Sequence, residues 1–196
     1  MLALQGAFAE HIRMLQTLDV TAVEVRRPCD FTPDLDGIVL PGGESTAMNR
    51  LLLELDMMEP LRTALRQGLP AFGTCAGLIL LAKRFTDSDW LHFQVLDVTV
   101  CRHGFGRQIG SFRTEGEFAE IGRVPMVFIR GPYITEAGAW VDVLATVENR
   151  IVAVRQGNLL GVAFHPELTE DTRLHAYFLR MVEEAKANNS PPSKEP

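Results

Sequence analysis

A chain of 196 residues can fold around one sizeable hydrophobic core, and its 46% apolar and 22% charged residues are those of an ordinary globular α/β domain. The net charge of -6, with no long basic run, argues against nucleic acid and anionic membranes as partners, because both need clustered Lys and Arg. No apolar stretch approaches the ~20 residues of a membrane helix, and no signal-peptide pattern opens the chain.

Short apolar strands alternate with helical stretches, which predicts a mostly parallel sheet covered on both faces. Leu2 to Leu4 reads as a strand followed by a Gln5-Gly6 turn, and residues 7–18 carry apolar positions at helical spacing. That first strand is shorter than the usual five residues or so, so the natural strand is expected to begin earlier. Val20 to Val25 reads as a second strand, and Gly37 to Leu40 as a third, stopped by Pro41-Gly42-Gly43. Residues 46–67 read as helix broken near Asp56 to Pro60. Leu69 to Gly73 forms the next strand, and Leu78 to Lys83 a buried helix.

The second half is richer in strands: Phe93 to Cys101, Pro125 to Ile129, Thr146 to Arg155 and Leu159 to Phe164. Gln156-Gly157-Asn158 has the composition of a hairpin turn. A helix from about Glu170 to Ala187, with Thr169 as its N-cap, closes a single domain over residues 1–187. The tail from Asn188 lacks an apolar anchor and is expected to be disordered.

Three cysteines at wide spacing do not make a disulfide framework, so a reducing cytoplasm is the expected compartment. There an isolated Cys can serve as a nucleophile. Cys75 sits in Gly73-Thr74-Cys75-Ala76-Gly77, a tight turn from strand to helix. Small flanking residues permit such a turn, and it presents the thiol at a helix N-terminus with the Ala76 N–H aimed at a developing oxyanion. A buried structural Cys in a glycine-bounded turn would look the same.

A nucleophilic Cys needs a base, and the base an orienting group. Of the five histidines, His165 follows the apolar strand LLGVAF and opens His165-Pro166-Glu167. Catalytic groups gather beyond the carboxyl ends of parallel strands, where both Cys75 and His165 lie. Pro166 holds the backbone so that Glu167 can turn toward the imidazole. His11 and His175 read as helix-surface residues, while His92 and His103 lack an acid partner. Just past the third strand, Pro41-Gly42-Gly43-Glu44-Ser45-Thr46 can present N–H groups as an anion nest, with Gly43 as a second oxyanion donor. It is equally a strand-to-helix turn capped by Ser45 or Thr46, and the two roles are compatible.

The segments LPGGEST, FGTCAGL and FHPELTED, in this order, resemble the triad-type glutamine amidotransferase family. LALQGAFAEH, RHGFGRQ, VFIRGPYI and ENRIVAVRQGNLLGVAFHPELTED narrow the resemblance to the branch of glutaminase subunits of pyridoxal 5'-phosphate synthase, over nearly the whole chain. The resemblance implies a flavodoxin-like, three-layer sandwich of the class I glutamine amidotransferase type. It implies Cys75 as nucleophile, His165 as base and acid, Glu167 as orienting partner, and Gly43 and Ala76 as oxyanion donors. Gly43, Glu44, Ser45, Arg102, Ile129 and Arg130 would contact L-glutamine; Gln5 matches a family position whose role the residues do not supply. No metal or organic cofactor is implied. The implied partner is a synthase subunit, with glutaminase units arranged around a synthase core and ammonia passed between them. Cys29 and Cys101 read as structural. A γ-glutamyl peptide hydrolase, a silent binding paralogue and a redox cysteine protein are the competing readings.

Overall fold

The computed structural model describes residues 1–86, 92–102 and 111–189. Among them, no helix is long and apolar enough to cross a membrane. His103, the FGRQ segment and residues 190–196 of the expected tail lie outside the described residues.

The centre of the main sheet is built from strands β1 (Ile38–Leu40), β2 (Ala71–Thr74) and β10 (Leu159–Val162), hydrogen-bonded in parallel in that order. Each is buried along its whole length, as expected of strands covered on both faces. The two strands expected at the N-terminus contract to a parallel bridge between Leu2 and Val25, with the Leu2 N–H donating to the Val39 carbonyl at 2.9 Å. The spatial order Val25, Leu2, β1, β2, β10 is that of a flavodoxin-like open sheet.

The sheet then turns antiparallel, through β9 (Arg150–Gln156) and β7 (Tyr133–Ala137) to β4 (Leu96–Cys101), which pairs in parallel with β3 (Ala82–Phe85) at the far edge. β8 (Asp142–Val147) pairs with β9, while β5 (Ser111–Phe118) and β6 (Gly122–Ile129) form a separate two-stranded sheet.

Helices cover both faces. Phe72 on β2 packs against Phe178 and His175 of α5 (Arg173–Asn189) and against His11 of α1 (Phe8–Gln16). Gly73 and Gly161 face the opposite way, against α4 (Ala76–Leu81): a Cβ on Gly161 would lie 2.7 Å from Leu78 Cδ1. α2 (Ser45–Glu54) and α3 (Met58–Arg66) are broken as expected near Asp56, whose φ is +54°.

Strands β5 and β7 lie where the sequence reading placed none, and several boundaries differ from it. The helix after Cys75 stops at Leu81, because Ala82 turns extended and the amphipathic run Ala82-Lys83-Arg84-Phe85 joins the sheet edge. The stretch from Thr146 to Arg155 is not one strand: Glu148 and Asn149, both at positive φ, reverse the chain between β8 and β9. The final helix begins at Arg173, not Glu170. A 3₁₀ turn, Pro166–Leu168, intervenes, and the Asp171 carboxylate accepts the Arg173 N–H in place of the cap expected from Thr169. That helix runs to Asn189, two residues past the expected end at Ala187.

Candidate active site

The register of β2 and β10 brings the site together. Gly161 lies beside Gly73 and Val162 beside Thr74, so both chains leave the sheet at the same edge. The Cys75 N–H donates to the Val162 carbonyl at 2.8 Å, and the His165 N–H donates to the Val127 carbonyl of β6 at 2.8 Å. These two bonds fix the backbone of the Cys75 turn and of the His165 turn.

Cys75 is buried, immediately before α4, with φ +48° and ψ -100°. A side chain in that region of φ/ψ space costs on the order of 1–3 kcal/mol, so the surrounding structure must impose it. The glycines of the turn show how. A Cβ on Gly73 would lie 2.6 Å from the Gly77 carbonyl carbon, and one on Gly77 would collide with the Leu40 carbonyl oxygen. Close backbone packing of β2, α4 and β1 leaves Cys75 no relaxed alternative.

The Nδ1–H of His165 donates to Glu167 Oε1 at 2.7 Å, within the turn that Pro166 opens. Burial pulls the His165 pKa down, but the hydrogen bonds and charges of Cys75 and Glu167 outweigh it and hold the imidazole up at about 10. The ring therefore keeps its proton beside the sulfur at neutral pH. Gly42 packs against the ring, leaving no space for a Cβ.

The loop after β1 is tied to the N-terminal turn. Gln5 Oε1 accepts the Glu44 N–H at 2.8 Å, and the Ala7 N–H donates to the Gly42 carbonyl at 2.9 Å. Gln5 thus gains the concrete part that its residue type alone withheld. It anchors the backbone on which Gly43 sits. The cap of α2 is Glu44, not Ser45 or Thr46: its carboxylate accepts the N–H groups of Thr46 at 3.0 Å and Ala47 at 2.7 Å. Desolvation would raise the Glu44 pKa, but these bonds and the charge of Arg102 lower it. Ser45 is buried, and its hydroxyl, with that of Thr46, accepts from Arg102 Nη2 at 3.1 Å. Arg102, from the end of β4, is thereby brought to the Glu44-Ser45-Thr46 loop.

Ala76 is the first, buried residue of α4. Ile129 and Arg130 lie at the end of β6, two and three residues past Val127, and both are exposed. Their side chains stand outside the buried core of the site. Cys29 is exposed and Cys101 half-buried, and both are free thiols.

The sequence reading missed two histidines. His11 and His175 are not on helix surfaces: both are fully buried, with His11 Nδ1 and His175 Nε2 2.8 Å apart behind Glu167. The signal was available in part, since α1 and α5 must each turn one face inward, but periodicity does not say that two imidazoles meet across a sheet. His92 is also buried, and its Nδ1 pairs with Asn49 Oδ1 at 3.2 Å; its partner is an amide, not an acid.

A family model described as the SNO glutamine amidotransferase family matches residues 1–184. The chain belongs to that family. It is 53% identical over 186 residues, 93% of this chain and 96% of its relative, to a pyridoxal 5'-phosphate synthase subunit PdxT of Streptococcus pneumoniae. A solved glutamine amidotransferase superposes with a TM-score of 0.89 at 42% identity, covering 93% of this chain and 97% of that one. A glutamine amidotransferase of Thermotoga maritima, 19% identical, shares the fold with a TM-score of 0.56 over 95% of this chain and 81% of that one. The fold and the family are thus those that the motifs around Cys75, His165 and Pro41 implied.

Proposed function

We propose that this chain hydrolyses L-glutamine to glutamate and ammonia, with Cys75 as nucleophile, His165 as proton carrier and Glu167 as its orienting carboxylate. The observation that carries the reading is the buried run from Cys75 through His165 to Glu167 at the carboxyl ends of β2 and β10. The thiolate attacks the side-chain amide carbon, and backbone N–H groups of Gly43 and Ala76 receive the oxyanion. His165 gives its proton to the departing ammonia as the C–N bond breaks, leaving a γ-glutamyl thioester. Water, deprotonated by the same imidazole, then releases glutamate and restores the thiol. Thiolate and imidazole supply this chemistry, and no cofactor has a step in it.

Arg102 offers a guanidinium for the α-carboxylate of glutamine, steadied by Ser45 and Thr46. Gly43, Glu44, Ile129 and Arg130 complete the substrate contacts. The relatives named as pyridoxal 5'-phosphate synthase subunits match this chain over almost all of its length. Their name supports a place for this protein as a subunit of such a synthase, and the reading sets it as a glutaminase unit on a synthase core in the cytoplasm, handing ammonia to the subunit that builds the cofactor.

Glutamate release by the purified chain, with and without the cognate synthase, tests the proposal. Wild type should turn over glutamine and accelerate sharply when the synthase is added, whereas Cys75→Ala should release none while keeping its fold. A glutamine-mimicking electrophile should label Cys75 and be blocked by glutamine. Turnover surviving in Cys75→Ala would remove Cys75 from the mechanism, and indifference to the synthase would favour a stand-alone hydrolase.

A further inference from the structure

Glu167 meets more than its catalytic neighbour. Its side chain is fully buried, and Oε1 is occupied by His165. Oε2 has no hydrogen bond of ordinary geometry among the described residues, and it faces His11 Nε2 at 3.3 Å. His11 comes from α1, a different element, and its two ring nitrogens are spoken for on either side. Nε2 also lies 3.0 Å from Thr74 Oγ1, one residue before Cys75, and Nδ1 lies 2.8 Å from His175 Nε2 on α5. The charged or titratable groups around His11 are therefore Glu167, His165, His175 and, farther away, the N-terminal ammonium.

Two arrangements of one proton on a neutral His11 are possible, and they are not equal. With the proton on Nε2, the N–H donates to Thr74 Oγ1 at 3.0 Å with Glu167 Oε2 beside it at 3.3 Å, and Nδ1 accepts from His175 Nε2–H. That leaves His175 Nδ1, a buried nitrogen without a partner, as an unpaired acceptor, and turns the rotatable Thr74 O–H away from the ring. With the proton on Nδ1, an imidazole lone pair would point at a buried carboxylate oxygen. His175 would then carry an unpaired buried N–H. Unpaired donors and unpaired charges are the costlier defects in a dry interior. Burial, with the neighbouring positive charges adding to it, lowers the His11 pKa well below its usual value, which supports the neutral ring.

We infer that His11 is a positioning residue of this site: its Nε2–H, 3.3 Å from the second oxygen of Glu167, steadies by charge the carboxylate that orients His165, and His175 fixes the tautomer of His11. The inference rests on the glutaminase reading for its consequence in turnover, but its geometry concerns the electrostatics around Cys75 whatever the substrate. Without the His11 N–H, a buried carboxylate oxygen loses the polar group that faces it at 3.3 Å. The carboxylate then rotates or takes up a proton, and the imidazolium beside Cys75 is less well stabilised.

Three measurements test this. In the wild-type chain, the ¹⁵N shifts of His11 should report a neutral ring protonated on Nε2 from pH 5 to 8; protonation on Nδ1 would overturn the inference. In His11→Phe, the pH of half-maximal alkylation of Cys75 by iodoacetamide should rise by about one unit, a roughly tenfold slower reaction on the acid side. With the synthase present, kcat should fall about 10- to 100-fold, as for other residues that orient a catalytic ligand, with KM within about twofold. His11→Gln, whose amide places an N–H near the position of Nε2, should recover most of both losses. Alkylation and kcat matching wild type in His11→Phe, or equal defects in Phe and Gln variants that are equally stable, would show a packing role only. If His11→Phe fails to fold, the ¹⁵N tautomer and the His11→Gln profile still decide. Failure of the wild type to consume glutamine would sink the glutaminase reading while leaving the alkylation and tautomer results to stand or fall separately.

Discussion

The backbone of Cys75, at φ +48° and ψ -100°, is where strain concentrates in the site. A Cβ is disfavoured there and glycine is not, so the residue that would relax the turn is the one that lacks a thiol. Cys75→Gly should therefore be more stable than Cys75→Ala by about 1 kcal/mol, read from urea midpoints, while neither releases glutamate. Equal midpoints would mean that the turn is not strained. His165 has the opposite character, because partners of opposite charge on both sides outweigh its burial and hold its proton. Cys75 and His165 could be singled out from local chemistry: a thiol between glycines, and a histidine with an acid two residues on. His11 could not, because what distinguishes it is an oxygen 156 positions away in the chain, at Glu167.

Short parallel elements make the site by ending together. β1, β2 and β10 are three, four and four residues long, yet each hands its next residues to the same edge: Pro41 to Glu44, Cys75, and His165 to Glu167. α4 is pressed onto β1 so closely that Gly77 faces the Leu40 carbonyl without space for a methyl group. Gly77→Ala should cost about 3 kcal/mol in denaturant unfolding, since backbone rather than a pliable side chain must move. It should also lower turnover in the surviving folded fraction, because displacing β1 displaces the Pro41 to Glu44 loop, proposed to receive the oxyanion, that begins one residue later. An unchanged midpoint would show that α4 can slide without disturbing β1. At this scale the sequence reading succeeded where apolar runs were long and failed at short amphipathic pieces. Ala82–Phe85 and the reversal at Glu148-Asn149 carry no glycine or proline to announce them, and their pairing with distant strands decides their conformation.

For the molecule as a whole, buried histidines of opposite habit set the response to pH. Burial lowers the His175 pKa to about 4, and burial with the charge of Arg102 does the same for His92. Between about pH 6.5 and 4 the unfolded chain binds these protons and the folded chain does not, so stability falls as pH falls through that window. His175 alone contributes on the order of 3 kcal/mol at 1.36 kcal/mol per unit. His165 acts the other way: its raised pKa gives stability that is complete below about pH 6.5 and is lost as pH climbs toward 10. Urea unfolding across pH 4 to 10 should accordingly show greatest stability near neutrality. His175→Gln should flatten the acid side, and an acid slope unchanged by that substitution would contradict the assignment.

The sequence by itself determined the parallel α/β scaffold, the strand ends at which chemistry is placed, and the motifs around Pro41, Cys75 and His165 that mark the amidotransferase family. These depend on local rules: continuous apolar runs are buried, glycines permit sharp turns, and catalytic residue types stand just past strands. Only the tertiary structure decided that Glu44 rather than Ser45 caps α2, that Gln5 anchors the Pro41 to Glu44 loop, and that His11 and His175 form a buried pair behind Glu167. Those features arise where two or three remote segments meet in a dry interior. There an unpaired polar atom costs more than the distance along the chain that must be closed to pair it.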